Sequence, residues 1–376
     1  MFQKTKSPLF RDNTRRHFIK SSFLGGVAAL ATGTPAITNV GNILKDGPDQ
    51  LKGDQRLDLK KLKRWESLGY GMFIHFGMST FVGKELPDGS ADPLLYAPDQ
   101  LDVDQWVAVA KNAGMKYAIL TTKHVAGHCL WPSKCTDYSV TNSANKTDVV
   151  QEFVKACKKY NVLPGFYYCS WDNHHKFGSK TPSDVKWSKT MNSFPRKPEE
   201  EAPFTSSMYQ SFQTQQLTEL LTQYGPIAEV WIDIPGVLGA GYRTYLYEYV
   251  SKLQPETIIM MNSGIGDGAD YNVDYAWPSD LIAIERSLPP ASGHVKWRKI
   301  AEKNYYMPGE VCDPIGKDWF YTVGDKPRSI KELTTQYLNI RERKANFLLD
   351  VPPNKHGMIP KAYENALMDM KKALRL

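Results

Sequence analysis

From Trp65 onward the chain alternates short apolar runs with amphipathic stretches. Eight runs have the length and β-branched or aromatic content of buried strands: 71–75, 117–122, 164–169, 228–233, 257–261, 281–285, 305–310 and 347–351. Helical spacing separates several of them. A helix over 104–113 follows a capping Asp102, and 148–160 carries Val149, Val150, Phe153, Val154 and Cys157 on one face. The stretches 211–224 and 242–253 read in the same way, and a last helix is expected over 361–374. Repeated strand-then-helix order predicts a parallel sheet, and eight such units predict an α/β fold of the (β/α)8, TIM-like barrel type. Helices are short or missing around strands 5–7, so the barrel is expected to be irregular there. No internal repeat or low-complexity tract interrupts the pattern.

In a parallel barrel the chemistry stands at the C-terminal ends of the strands. The strand ends carry His75, then Lys123-His124, then Tyr167-Tyr168 running on to Trp171. They continue with Trp231-Ile232-Asp233, Asn262, Glu285-Arg286 and Glu310. Polar residues closing otherwise apolar strands are costly to bury without partners. Seven of them facing one rim point to a site.

Two carboxylates on different strands, among aromatics and histidines, suit glycoside hydrolysis, in which one is the nucleophile and the other the acid/base. Asp233 is the candidate nucleophile; side chains alternate along a strand, so Trp231 shares its face and can wall the sugar. Glu285 is the candidate acid/base and Glu310 the alternative. His75 and His124 are candidates for binding sugar hydroxyls, with Trp171 and Arg286 beside the site. His124 and His128 have a zinc-like i, i+4 spacing, but Gly127 and Trp131-Pro132 make that segment a loop, and no metal or other cofactor is expected. His174 and His175 fall in a polar loop over 171–180, as subsite residues or as solvated ones.

Composition narrows the setting. The chain has 376 residues and a net charge of +7. Residues 1–36 hold six Lys/Arg and one Asp, and 37–64 hold seven Lys/Arg and four Asp. From Trp65 on, 34 basic residues face 35 acidic ones, so the surplus is N-terminal and a nucleic-acid partner is not expected. Arg15-Arg16, followed by Phe18 and Lys20, precedes a mildly apolar run with Gly25-Gly26 and a small-residue end at Ala36. That segment resembles a twin-arginine export signal, which predicts a periplasmic or secreted protein. Residues 37–64 read as a polar tether ending in a short helix over 57–63, and the barrel occupies 65–376. Five cysteines are too few for a disulfide framework in a chain this long, and no apolar run is long enough for a stable membrane span.

Several segments together resemble the α-L-fucosidases, glycoside hydrolase family 29. They are Gly71-Met72-Phe73-Ile74-His75-Phe76-Gly77, Thr121-Thr122-Lys123-His124 with Leu130-Trp131-Pro132-Ser133, and Pro164-Gly165-Phe166-Tyr167-Tyr168. Tyr224-Gly225-Pro226 with Glu229-Val230-Trp231-Ile232-Asp233 follows, and then Asn346-Phe347-Leu348-Leu349-Asp350-Val351-Pro352-Pro353. The resemblance implies a retaining exo-glycosidase acting on terminal α-L-fucosyl groups of a glycan without a metal. It implies Asp233 as nucleophile, Glu285 as acid/base, His75 and His124 as sugar ligands, and Trp231 with Tyr168 (or Tyr167) as pocket walls. The family pattern has a second histidine directly after the His124 position, where this chain has Val125. His128 is the candidate substitute, and an α-L-galactosyl substrate is the alternative. A metal-dependent barrel hydrolase and a non-catalytic glycan-binding barrel are the readings from other classes. The C-terminal β-sandwich of many relatives is not expected.

Overall fold

The computed structural model describes residues 53–175 and 205–376. The signal-like segment 1–36, residues 37–52 and the loop residues 176–180 lie outside the described residues.

The strands are β1 (Tyr70–Ile74), β2 (Tyr117–Lys123), β3 (Leu163–Cys169), β4 (Glu229–Asp233), β5 (Ile258–Met261) and β6 (Ile282–Glu285), followed by β7 (Trp297–Ile300), β8 (Lys303–Tyr306), β9 (Gly309–Pro314) and β10 (Ala345–Asp350). The helices are α1 (Leu59–Leu68), α2 (Met78–Val82), α3 (Val103–Asn112), α4 (Val149–Tyr160), α5 (Ser207–Gln223), α6 (Ala240–Leu253), α7 (Val273–Ala276), α8 (Ile330–Glu342) and α9 (Lys361–Leu374). Eight strands form one parallel sheet in the order β5-β4-β3-β2-β1-β10-β9-β6, and β7 and β8 form a separate antiparallel hairpin. The eight are buried almost throughout, as strands covered on both faces must be, which is why they read as continuous apolar runs.

Ladder pairing does not join β5 to β6; the residues just before β6 close the barrel instead. Asp280 N–H donates to the Ile259 carbonyl at 2.8 Å, and its carboxylate accepts from Ile259 N–H at 2.8 Å. Ser279 Oγ accepts from Met261 N–H at 3.0 Å. Arg56 and the Tyr247 hydroxyl both hold Asp280. The irregular side of the barrel therefore lies where short helices were expected, between β5 and β9.

Side-chain caps start the helices: Asp58 accepts from Lys61 N–H, Asp102 from Gln105 N–H and Asp148 from Gln151 N–H. Ser329 and Glu332 form a reciprocal capping box at α8.

Two sequence expectations change. The run 305–310 is not the seventh barrel strand: its first half ends the hairpin and its second half begins β9, four residues further on. The aromatic-rich hairpin imitates a buried strand, yet only one residue of each of its strands is buried. Residues 53–64, assigned to the tether by their polarity, pack onto the barrel body. Leu57 and Leu62 are buried, and Trp65 Nε1–H donates to Glu229 at 3.1 Å.

Candidate active site

The C-terminal ends of the strands meet at a cavity of 530 Å³. His75 follows β1, His124 follows β2, Tyr167 comes from β3, and Trp231 and Asp233 come from β4. Asn262 follows β5, and Glu285 ends β6. The pleat selects which residues arrive. Tyr167 pairs with Trp231 in register, and their rings stack with centroids 5.4 Å apart. Their neighbour Tyr168 therefore points out of the barrel, where its hydroxyl donates to Gln216 of α5 at 2.7 Å.

Asp233 and Glu285 face one another through a shared ligand. The Asn262 side-chain amide contacts Asp233 Oδ1 at 2.8 Å and Glu285 Oε2 at 3.1 Å. The Tyr167 hydroxyl donates to the other Asp233 oxygen at 2.6 Å. Burial pushes the Glu285 carboxyl up to about 7, with the Asp233 charge adding to the shift and the Asn262 hydrogen bond opposing it. Glu285 can thus carry a proton near neutral pH. Directly after Asp233, Ile234 lines the cavity at φ 51, a strained backbone for a β-branched residue.

His75 is fixed from behind. Asp350, at the end of β10, accepts through Oδ1 from His75 N–H at 3.2 Å and from the Nδ1 side of the ring at 2.8 Å. Burial also holds the Asp350 carboxyl well above the usual carboxylate range. With Nδ1 engaged by Asp350, Nε2 is the ring nitrogen left to meet a hydroxyl. Burial lowers the His75 pKa to about 3 and holds His124 well below its ordinary value, so both rings are neutral at physiological pH. Glu85, Leu86, Lys317, Asp318 and Trp319 complete the cleft. Arg286 also lines it, its guanidinium 4.8 Å from the Trp319 ring centroid and hydrogen-bonded to the Lys317 carbonyl.

Six candidate residues lie elsewhere. Glu310 is the second residue of β9, near the N-terminal floor of the barrel rather than its C-terminal rim. It accepts from the Tyr117 hydroxyl at 2.6 Å and from Trp231 Nε1–H at 3.3 Å. Burial and the facing Glu310 push the Glu229 carboxyl well above its ordinary value, and burial raises Glu310 to about 7. A strand ending at 310 puts Glu310 at the rim, whereas β9 runs on to Pro314. His128 is buried outside the cavity: Nε2 bonds Ser143 Oγ at 2.8 Å, and the ring packs against Tyr96 and Tyr138. Trp171 is buried and its Nε1–H donates to Asn173, away from the cavity lining. Tyr168 gives way to Tyr167. His174 and His175 also avoid the cavity; His175 bonds Asp172, which holds the buried Lys123.

Asn262 stood in the sequence as a strand-end residue, but nothing there linked it to both carboxylates. Glu85 and Trp319 come from loops without periodicity, and Asp350 meets His75 only because β1 and β10 are neighbours. Among the described residues, no group of three or more His, Cys, Asp or Glu is arranged to hold a metal ion.

The fold and cleft define a (β/α)8 barrel with a carboxyl pair at its C-terminal rim. The family model for α-L-fucosidase matches residues 93–376. Alpha-L-fucosidase 1 of Arabidopsis thaliana is 32% identical over 340 residues, covering 86% of this chain and 60% of that protein. The structure of α-L-fucosidase isoenzyme 1 from Paenibacillus thiaminolyticus superposes with a TM-score of 0.67 at 25% identity, covering 84% of this chain and 75% of that one. A glycoside hydrolase family 29 member from an unknown rumen bacterium gives a TM-score of 0.63 at 27% identity, over 86% of this chain and 57% of that one. The chain belongs to the α-L-fucosidase family, glycoside hydrolase family 29. It spans about 60% of the length of the Arabidopsis relative.

Proposed function

We propose that the protein hydrolyses terminal α-L-fucosyl groups of glycans with retention of anomeric configuration. Asp233 is the nucleophile and Glu285 the acid/base. The observation that carries this reading is the Asn262 bridge. Two oxygens that touch one nitrogen at 2.8 and 3.1 Å lie no more than about 6 Å apart, short of the separation of roughly 6.5–9.5 Å in inverting pairs, which supports a retaining pair.

In the first half-reaction Asp233 attacks the anomeric carbon while Glu285 gives its proton to the glycosidic oxygen. The leaving glycan departs and a glycosyl ester remains on Asp233. In the second, Glu285 takes a proton from water, which attacks the same carbon and releases fucose. Asn262 and Tyr167 hold the Asp233 carboxylate in line. His75, through Nε2, and His124 bind sugar hydroxyls, and Trp231 and Tyr167 wall the ring.

Val125 stands in the lining where the family resemblance expects a second histidine, and His128 does not replace it. The sugar is therefore tested alongside the activity. The purified protein is incubated with aryl α-L-fucoside and aryl α-L-galactoside, with and without chelator. Chelator-insensitive release from the fucoside supports the proposal, and preference for the galactoside reassigns the sugar. Loss of release on chelation points to a metal-dependent hydrolase. Binding without turnover, surviving Asp233→Asn, points to a glycan-binding barrel. The paired arginines support export to the periplasm or beyond as part of the same proposal.

A further inference from the structure

Beside Glu285 the rim carries a half-exposed aliphatic side chain. Ile265 is 49% exposed, yet it lines the same cavity as Asp233 and Glu285. Its backbone bridges to Glu285, and Gly266 N–H donates to the Glu285 carbonyl at 3.2 Å. A lone exposed isoleucine is ordinary on a protein surface. This one is held in place. Gly264 N–H donates to Asn262 Oδ1 at 2.9 Å, and Ser263 Oγ donates to the Ala283 carbonyl at 3.3 Å. On the far side, Arg298 holds the Gly268 and Ala269 carbonyls at 2.6 and 2.7 Å. Gly268 adopts φ +75 with its α-carbon against Ile282 and Ile284; a Cβ there would come within 2.8 Å of Ile284. The loop is pinned on both sides of Ile265, so its side chain is presented to the cleft.

We infer that Ile265 is the apolar platform of a leaving-group subsite, packing against the C–H face of the sugar ring from which the fucosyl group is removed. The inference rests on Glu285 being the proton donor. A general acid must reach the oxygen it protonates. That oxygen belongs to the leaving group, so the leaving ring lies on the Glu285 side of the cleft. Ile265 is the exposed apolar residue bonded to that position. A pyranose has an apolar C–H face and a hydroxylated edge, and this part of the cleft offers both surfaces. Ile265 supplies carbon, and Arg286, which follows Glu285 and is hydrogen-bonded to the Lys317 carbonyl, supplies a polar group.

The test compares two substrates with the same fucosyl group. One is α-L-fucosyl fluoride, whose leaving group is a single atom, and the other is an α-L-fucosyl disaccharide. In Ile265→Asn the ratio of kcat/KM for disaccharide over fluoride falls about tenfold, the scale of losing methylene-sized contacts in a pocket. Ile265→Leu restores most of that ratio. An unchanged ratio, or equal losses on both substrates, would overturn the assignment. If the unaltered protein turns over neither substrate, the fucosidase reading itself fails and this one fails with it.

Discussion

The Tyr167 hydroxyl donates a 2.6 Å hydrogen bond to Asp233, the carboxylate at the end of the neighbouring strand. Tyr167 and Asp233 meet because β3 and β4 pair with Tyr167 beside Trp231, two residues before Asp233 on the same face. A hydrogen bond to a charged group contributes about 1.5–3 kcal/mol. Tyr167→Phe is expected to lower kcat by roughly ten- to a hundredfold while the protein stays folded. Asp233→Gly is expected to abolish turnover, and steady-state kinetics on an aryl α-L-fucoside with a circular-dichroism control measure both.

The Glu285 carboxyl sets the alkaline limb of activity. It must be protonated to donate, and its pKa is raised to about 7, so kcat/KM should fall as pH rises through that value. The Asn262 hydrogen bond stabilises the ionised form and lowers the pKa. Removing it in Asn262→Ala should move the limb to higher pH, in addition to reducing the rate. A pH profile of kcat/KM checks the direction, and a limb that stays in place or moves down would remove Glu285 from the acid role.

His128 acts through packing. His128→Gln should cost about 1–3 kcal/mol of stability, the scale of disrupting a buried hydrogen bond. KM and kcat on the fucoside should change less than threefold, since the ring lies outside the cleft. Thermal unfolding and kinetics of the same variant separate the two effects. A large rise in KM with unchanged stability would return His128 to the sugar site.

The paired arginines carry the export prediction. Arg15→Lys combined with Arg16→Lys should leave the protein in the cytoplasm at its unprocessed mass. Fractionation of cells expressing both forms measures this, and equal export of the two would point to another route or none.

Much of the barrel was readable because strands covered on both faces must be apolar along their whole length. Helix α9 matches its expected range, α3 begins directly after the aspartate expected to cap it, and α4 covers its expected range apart from Asp148, which caps it. The seventh strand was misplaced because the aromatic hairpin ahead of β9 has strand-like composition without a barrel position. That single shift carried Glu310 to the wrong end of the barrel. His75, His124, Trp231, Asp233 and Glu285 were legible as polar or aromatic residues at strand ends. Strand alternation decides between Tyr168 and Tyr167 only once Trp231 is known to face inward. Asn262 as a bridge and Asp350 behind His75 were not legible. Each depends on which strands become neighbours when the barrel closes, and no local spacing encodes that.

The central claim is retention by the Asp233–Glu285 pair, and the anomer formed first measures it most directly. Proton NMR of the reaction on an aryl α-L-fucoside, recorded before mutarotation, should show α-L-fucose appearing first and the β anomer growing in later. β-L-fucose as the initial product would contradict a retaining pair, and with it the roles of both carboxyls.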